Sequence, residues 1–147
     1  MDSKSSPVII VPARLASVRF PRKLLADAGG KPLIIRTADR IKEQVPEYDL
    51  YFAVDGNELG DVLAHAGYQT ILTEPDLPSG TDRIAFANRL LKRETVINVQ
   101  ADEPRVRRDH ILLLVDGIDK PGTSISTIAS KFQTEKDFHD PNQVKVV

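Results

Sequence analysis

Four cations crowd one short stretch near the N-terminus: Arg14, Arg19, Arg22 and Lys23, with Ser17 among them. Like charges this close repel one another unless something anionic sits between them. Arginine forks grip phosphate oxygens two at a time, and lysine adds a point charge. The mixture therefore suits a triphosphate. A solvated basic surface loop would have the same composition. The stretch contains neither GxxxxGK[ST] nor GxGxxG, so it is not a Walker loop, and a dinucleotide reading is weakened.

Two other stretches carry groups of the complementary kind. Asp102 and Glu103 follow the apolar run TVINV at 95–99 directly, through Gln100 and Ala101. A carboxylate at such a strand end suits Mg2+ held jointly by protein and substrate phosphates. A helix cap, or an ion pair with Arg105, is the plainer use of the same dipeptide. Ser79, Gly80, Thr81, Asp82 and Arg83 form the second stretch. It reads as a helix N-terminus whose free N–H groups could meet a phosphate or base, or as an ordinary N-cap. Asp55 after the second strand is a turn residue first and a ligand contact second.

Several classes of chemistry are excluded or made remote. The 147 residues include no cysteine, so disulfides, thiolate nucleophiles and cysteine-ligated zinc are ruled out. His65, His110 and His139 are scattered and accompany no nucleophile pattern. Net charge is −1, so any anion site is local, and no field favours nucleic acid. The aromatics are not interleaved with basic residues, as a single-strand nucleic-acid surface would require. No apolar run approaches membrane-spanning length, and MDSKSSP has no apolar core of a signal peptide. A cytoplasmic protein with no membrane partner is expected.

The elements that must position these groups alternate between strand and helix. Residues 8–11, VIIV, read as a strand buried on both faces, ended by Pro12. A long loop runs from 12 to 30. Residues 32–44 repeat apolar positions at helical spacing, with Pro32 at the first turn. Residues 50–54 are a second strand. A helix capped by Asn57 follows, with Gly67 at its C′ position. Residues 69–72 are a third strand. A helix over 82–91, capped by Ser79 or Thr81, leads to a fourth strand at 95–99. Arg107 or Asp109 starts a helix that runs to about Ile118. Residues 124–129 and 143–147 read as fifth and sixth strands, with a short helical turn at 134–139. This order argues a doubly wound, mostly parallel α/β sheet in a single domain, residues 1–147. Right-handed βαβ units would gather the loops 12–30, 74–81 and 100–108 at one sheet edge.

Taken in order, PARLASVRFPRK (12–23), GGKPLI (29–34), PSGTDRIA (78–85), INVQADEP (97–104) and PNQVKVV (141–147) resemble the 3-deoxy-manno-octulosonate cytidylyltransferases, or CMP-Kdo synthetases. SGTDR and NVQADEP carry the resemblance most specifically. It implies a Rossmann-like nucleotidyltransferase fold. The reaction implied transfers CMP from CTP to Kdo, releases pyrophosphate and feeds lipopolysaccharide synthesis. By that likeness Arg14, Ser17 and Lys23 hold the CTP phosphates, with Arg19 in the same cationic loop. Ser79, Gly80, Thr81, Asp82, Arg83 and Gln100 lie around the cytidine. Asp102 holds Mg2+, and Lys23 and Asp102 act at the reacting phosphate. The partners implied are CTP and an acidic sugar, in a homodimer. Family members continue well past PNQVKVV, so an N-terminal half with an incomplete C-terminal edge is expected. The alternatives are a catalytically silent nucleotide-binding or interaction protein, and a cytidylyltransferase for 8-amino-Kdo or sialic acid. Arg22 stands where the family usually has Gly, Leu24 where it has Pro, Val54 where it has Thr, and Ala101 where it has Gly.

Overall fold

The structure is a computed structural model that describes residues 6–16 and 20–146. It divides into two compact units, Met1–Ile111 and Leu112–Val147.

The first unit is built on four strands: β1 (Val8–Ala13), β2 (Asp49–Val54), β3 (Gln69–Leu72) and β4 (Val96–Asn98). They pair in the order β3-β2-β1-β4, and every pairing is parallel. Helices α1 (Leu33–Gln44), α2 (Asn57–His65) and α3 (Gly80–Leu91) connect them. The crossovers from β1 to β2 to β3 run one way across the sheet, and the crossover from β3 to β4 runs back past β1. Right-handed connections therefore put α1 and α2 on one face and α3 on the other. The winding reverses between β1 and β4, and the crevice at such a reversal is where open α/β sheets bind ligands.

β1 is buried along its whole length, as a central strand covered on both faces must be. Val8 and Ile10 pack with Ala53, Ile84 and Ala87 against α3. By strand alternation Ile9 and Val11 face the other way. Ile34, Ala38 and Ile41 of α1 and Leu59 and Leu63 of α2 are also buried. Each of the isoleucine, leucine and valine side chains contributes roughly 1.5–3 kcal/mol on leaving water.

Pro12 does not end β1, which continues through Ala13. The reason lies in the ladder. Val8 donates to Thr95 O at 3.1 Å, and Ala13 O accepts from Asp55 N at 3.2 Å. Alternate residues thus face alternate neighbours, so Pro12, like Val8 and Ile10, faces β4. Pairing with β4 stops at Ile10↔Asn98, so the missing N–H of Pro12 removes no ladder bond. At α2 the cap is Gly56, and Asn57 is the first helical residue. At α3 the Ser79 hydroxyl accepts from Asp82 N at 3.1 Å.

α4 (Arg108–Ile118) crosses the division between the units, and α5 (Glu135–His139) lies in the second. Thr134 and Asp137 form a reciprocal capping box at α5. Residues 124–129 and 143–146 are not strands, contrary to their alternating pattern. Alternation marks only a segment with one apolar side, and a strand also needs a partner edge. No strand pairs with them among the described residues. Ile125 is 86% and Val144 91% exposed, so neither apolar side is covered.

One polar cluster ties α1 to the chain leaving α2. Tyr68 donates to Asp39 at 2.5 Å and Lys31 donates to the same carboxylate at 2.7 Å. The Tyr68 ring also meets Phe52 edge-on at 5.8 Å. Lys31 and then Tyr68 hold the Asp39 carboxyl below its ordinary value. Their contribution is complete above the ordinary carboxylate pKa and is lost as pH falls through the depressed one. We expect Tyr68→Phe to lower unfolding free energy by about 1 kcal/mol at neutral pH, after discounting for exposure. Urea denaturation should also show the deficit shrinking as the pH falls through the Asp39 titration.

Candidate functional site

A cleft of about 320 Å³ opens at the carboxyl end of the sheet, lined at the end of β1 by Pro12 and Ala13 with Arg14 just after it, from the β3–α3 connection by Leu77, Pro78 and Ser79, from α3 by Gly80 and Arg83, and by Gln100 after β4. It lies at the reversal point between β1 and β4. The three loops expected at one sheet edge do meet there. Of the residues singled out in the sequence, Arg14, Ser79, Gly80, Arg83 and Gln100 line this cleft. Thr81 and Asp82 are exposed in the first turn of α3. Ser17 and Arg19 lie outside the described residues.

Lys23 and Asp102 come together although 79 residues separate them. The Lys23 ammonium donates to Asp102 Oδ2 at 2.5 Å, and both side chains are roughly 40% exposed. Asp102 therefore carries a cation already, two residues beyond Gln100 of the cleft wall. Among the described residues no group of three or more Asp, Glu or His could hold a metal alone. The donor set fits an ion shared between one carboxylate and substrate phosphates, as Mg2+ commonly is.

The walls are fixed by different means. Ser79 caps α3 and donates its hydroxyl proton to Asp82 at 2.5 Å, which leaves Asp82 facing its own helix end. Gly80 approaches β1 so closely that an added Cβ would lie 3.3 Å from Pro12 Cγ. Gln100 donates to Asn98 at 2.9 Å. Arg83 borders the cleft but is only 2% exposed. Its guanidinium donates to Thr73 Oγ1, to Glu74 O at 3.0 Å and to Pro75 O at 3.2 Å. Thr73 in turn donates both N–H and O–H to Val54 O, each at 2.9 Å. Arg83 thus shapes the wall by holding the chain after β3, with its donors directed inward.

The cationic loop hangs from the junction of β2 and α2. Leu15 N donates to both carboxylate oxygens of Asp55, at 3.1 and 3.0 Å. Arg22 forms a two-point fork on Glu58 of α2. This pairing raises the Arg22 pKa and lowers that of Glu58. Arg22 itself is left-handed, at φ 56° and ψ 30°, a conformation that glycine adopts without steric cost. A 3-10 turn over Lys23–Leu25 follows, anchored by buried Leu24. The far end of the loop is closed by Arg36, which donates to Ala28 O at 2.8 Å and to Gly29 O. Glu58 and Thr73 are the contributors that sequence reasoning missed, and Asp55 was read there as a turn residue, without its hold on Leu15 N. The one signal they gave was position, since Asp55 and Thr73 immediately follow buried or paired strands.

Residues 8–147 match the family model described as Cytidylyltransferase. The chain belongs to the cytidylyltransferase family. It is 41% identical over 145 residues to the 3-deoxy-manno-octulosonate cytidylyltransferase of Chloroherpeton thalassium, covering 95% of this chain and 58% of that protein. It is 38% identical over 144 residues to the enzyme of the same name from Polynucleobacter asymbioticus, covering 95% and 56%. A solved structure of CMP:2-keto-3-deoxy-manno-octonic acid synthetase complexed with CTP superposes with a TM-score of 0.75 at 33% identity, over 80% of this chain and 49% of that one. A cytidylyltransferase from Leptospira borgpetersenii shares the fold, at TM-score 0.63 and 18% identity. The family member described here thus spans somewhat more than half the length of these curated relatives.

Arg83 offers a direct check on how the cleft is built. Arg83→Ala would strand three buried or half-buried acceptors, and we expect a loss of about 3 kcal/mol in unfolding free energy. Arg83→Lys should recover only part of it, because one ammonium cannot span the same three oxygens. Chemical denaturation of the two variants measures both.

Proposed function

We propose that this chain is the nucleotide-binding part of a cytoplasmic, homodimeric cytidylyltransferase that transfers CMP from CTP to 3-deoxy-manno-octulosonate in lipopolysaccharide synthesis. The observation that carries the reading is the convergence of Arg14, the N-terminus of α3 and Gln100 on one cleft beside the Lys23–Asp102 pair. The relatives' names and the CTP-bound neighbour support the nucleotide and the sugar.

In this reading Arg14 and Lys23 take the phosphates, and the first turn of α3 with Gln100 borders the cytidine. Ser17 and Arg19 extend the same cationic loop. The sugar's anomeric hydroxyl attacks the α-phosphorus and gives up its proton to solvent water, and the bond from that phosphorus to the bridging oxygen breaks, so pyrophosphate leaves with the electron pair. Mg2+, when bound by Asp102 and phosphate oxygens, supplies charge neutralisation at the transferring group. Arg14 and Lys23 stabilise negative charge that grows on the departing pyrophosphate. No side chain has to become a nucleophile.

Calorimetry with CTP in the presence and absence of Mg2+ tests the reading. CTP should bind with a marked Mg2+ dependence, and Asp102→Asn should abolish that dependence. Lys23→Ala should weaken CTP at least about tenfold, as loss of a charge-assisted phosphate contact does. Unaltered Mg2+-dependent binding by Asp102→Asn would leave Asp102 as nothing more than the partner of Lys23. Pyrophosphate release with Kdo, against a panel of other acidic sugars, tests the acceptor.

A further inference from the structure

Lys23 reaches Asp102 because the chain turns sharply at the residue before it. Arg22 adopts φ 56°, a region that side-chain-bearing residues other than Asn and Asp rarely occupy. Directly after it, Leu25 N donates to Arg22 O at 2.9 Å and Ala26 N to Lys23 O at 3.1 Å. The turn that aims the Lys23 ammonium therefore starts from an unfavourable backbone. Glycine would adopt it without steric cost, and arginine needs something to hold it.

The holding group is on another βα unit. Glu58 lies 36 residues away, in the first turn of α2, and receives both terminal nitrogens of Arg22, one at 3.1 Å. The platform is packed into the core, since neighbouring Leu59 is 1% and Leu63 0% exposed. An exposed ion pair usually contributes little. A two-point fork to a fixed helix differs in that it restrains the direction of the Arg22 side chain, and with it the backbone that carries it.

The geometry points to Glu58 as a positioning residue for the phosphate-binding loop: from α2 it holds Arg22 left-handed and so directs Lys23 toward Asp102. This rests on the reading of Lys23 and Asp102 as part of the CTP·Mg2+ site. Glu58 touches neither reacting group itself. The ion pair takes over a task that backbone freedom performs where glycine stands. One consequence is that the loop geometry becomes sensitive to salt, because exposed charges are screened.

A double-mutant cycle over Glu58→Gln and Arg22→Gly in the full chain tests it, with two readouts. The first, without ligand, is hydrogen exchange at the Leu25 amide. The second is CTP·Mg2+ affinity by calorimetry. Glu58→Gln alone should speed Leu25 exchange about two- to fivefold and weaken CTP·Mg2+ by a similar factor. High salt should mimic this in the native sequence. Arg22→Gly should restore both readouts, and adding Glu58→Gln to it should change neither. Unchanged Leu25 exchange in Glu58→Gln would overturn the proposal, and so would an equal loss in the Arg22→Gly background. If the exchange cycle behaves as expected while the native chain binds no CTP·Mg2+, the nucleotide reading falls and the hold on Arg22 stands.

Discussion

A loop rich in cations can face solvent in a defined shape only if its backbone is tied to something rigid, because its own charges push it apart. Here the ties are carboxylates at the β2–α2 junction, one on the turn and one in the first turn of α2. Asp55 takes the Leu15 amide with both oxygens, and Glu58 takes the Arg22 fork. The two acidic groups sit three residues apart on a junction that packing has already fixed. Negative charge thus serves the cationic loop from behind and leaves the cleft side to Arg14. The arrangement separates the groups that shape the loop from the one that lines the cleft.

The opposite wall is held by different physics. α3 rests on β1 through Val8, Ile10, Ile84 and Ala87, and its first residue, Gly80, sits where a side chain would press on Pro12. Close packing of this kind has few alternative arrangements. Behind it the buried guanidinium of Arg83 fixes the chain leaving β3. One side of the cleft is set by apolar contact and buried hydrogen bonds, the other by exposed charge pairs.

Much of this was legible in the sequence. The four strands and three helices of the first unit stand within two residues of where periodicity and caps put them, and β3 matches at both ends. Parallel pairing followed from the alternation of strand and helix, and so did the meeting of the three loops. The misreadings share a cause. Pro12 and the segments at 124–129 and 143–146 all depend on what lies beside them in space. Proline is tolerated where a ladder has ended, and alternation becomes a strand only beside an edge. The buried hydrogen bonds of Arg83 were likewise not legible in SGTDR. Asp55 and Glu58 could not be found from local pattern, because their partners lie 40 and 36 residues away. The left-handed turn at Arg22 was visible only as a departure from glycine in the resemblance.

Lys23 and Asp102 form a site that contains its own counter-ion. A bare anion that draws Lys23 away leaves Asp102 stranded, and a bare divalent cation that draws Asp102 away leaves Lys23 stranded. An anion and a divalent cation arriving together leave neither charge without a partner. On the proposed reading, the pair would act as an ion exchanger that trades one internal salt bridge for a matched external one. Its discrimination would then lie in the charge balance of what enters as much as in its shape.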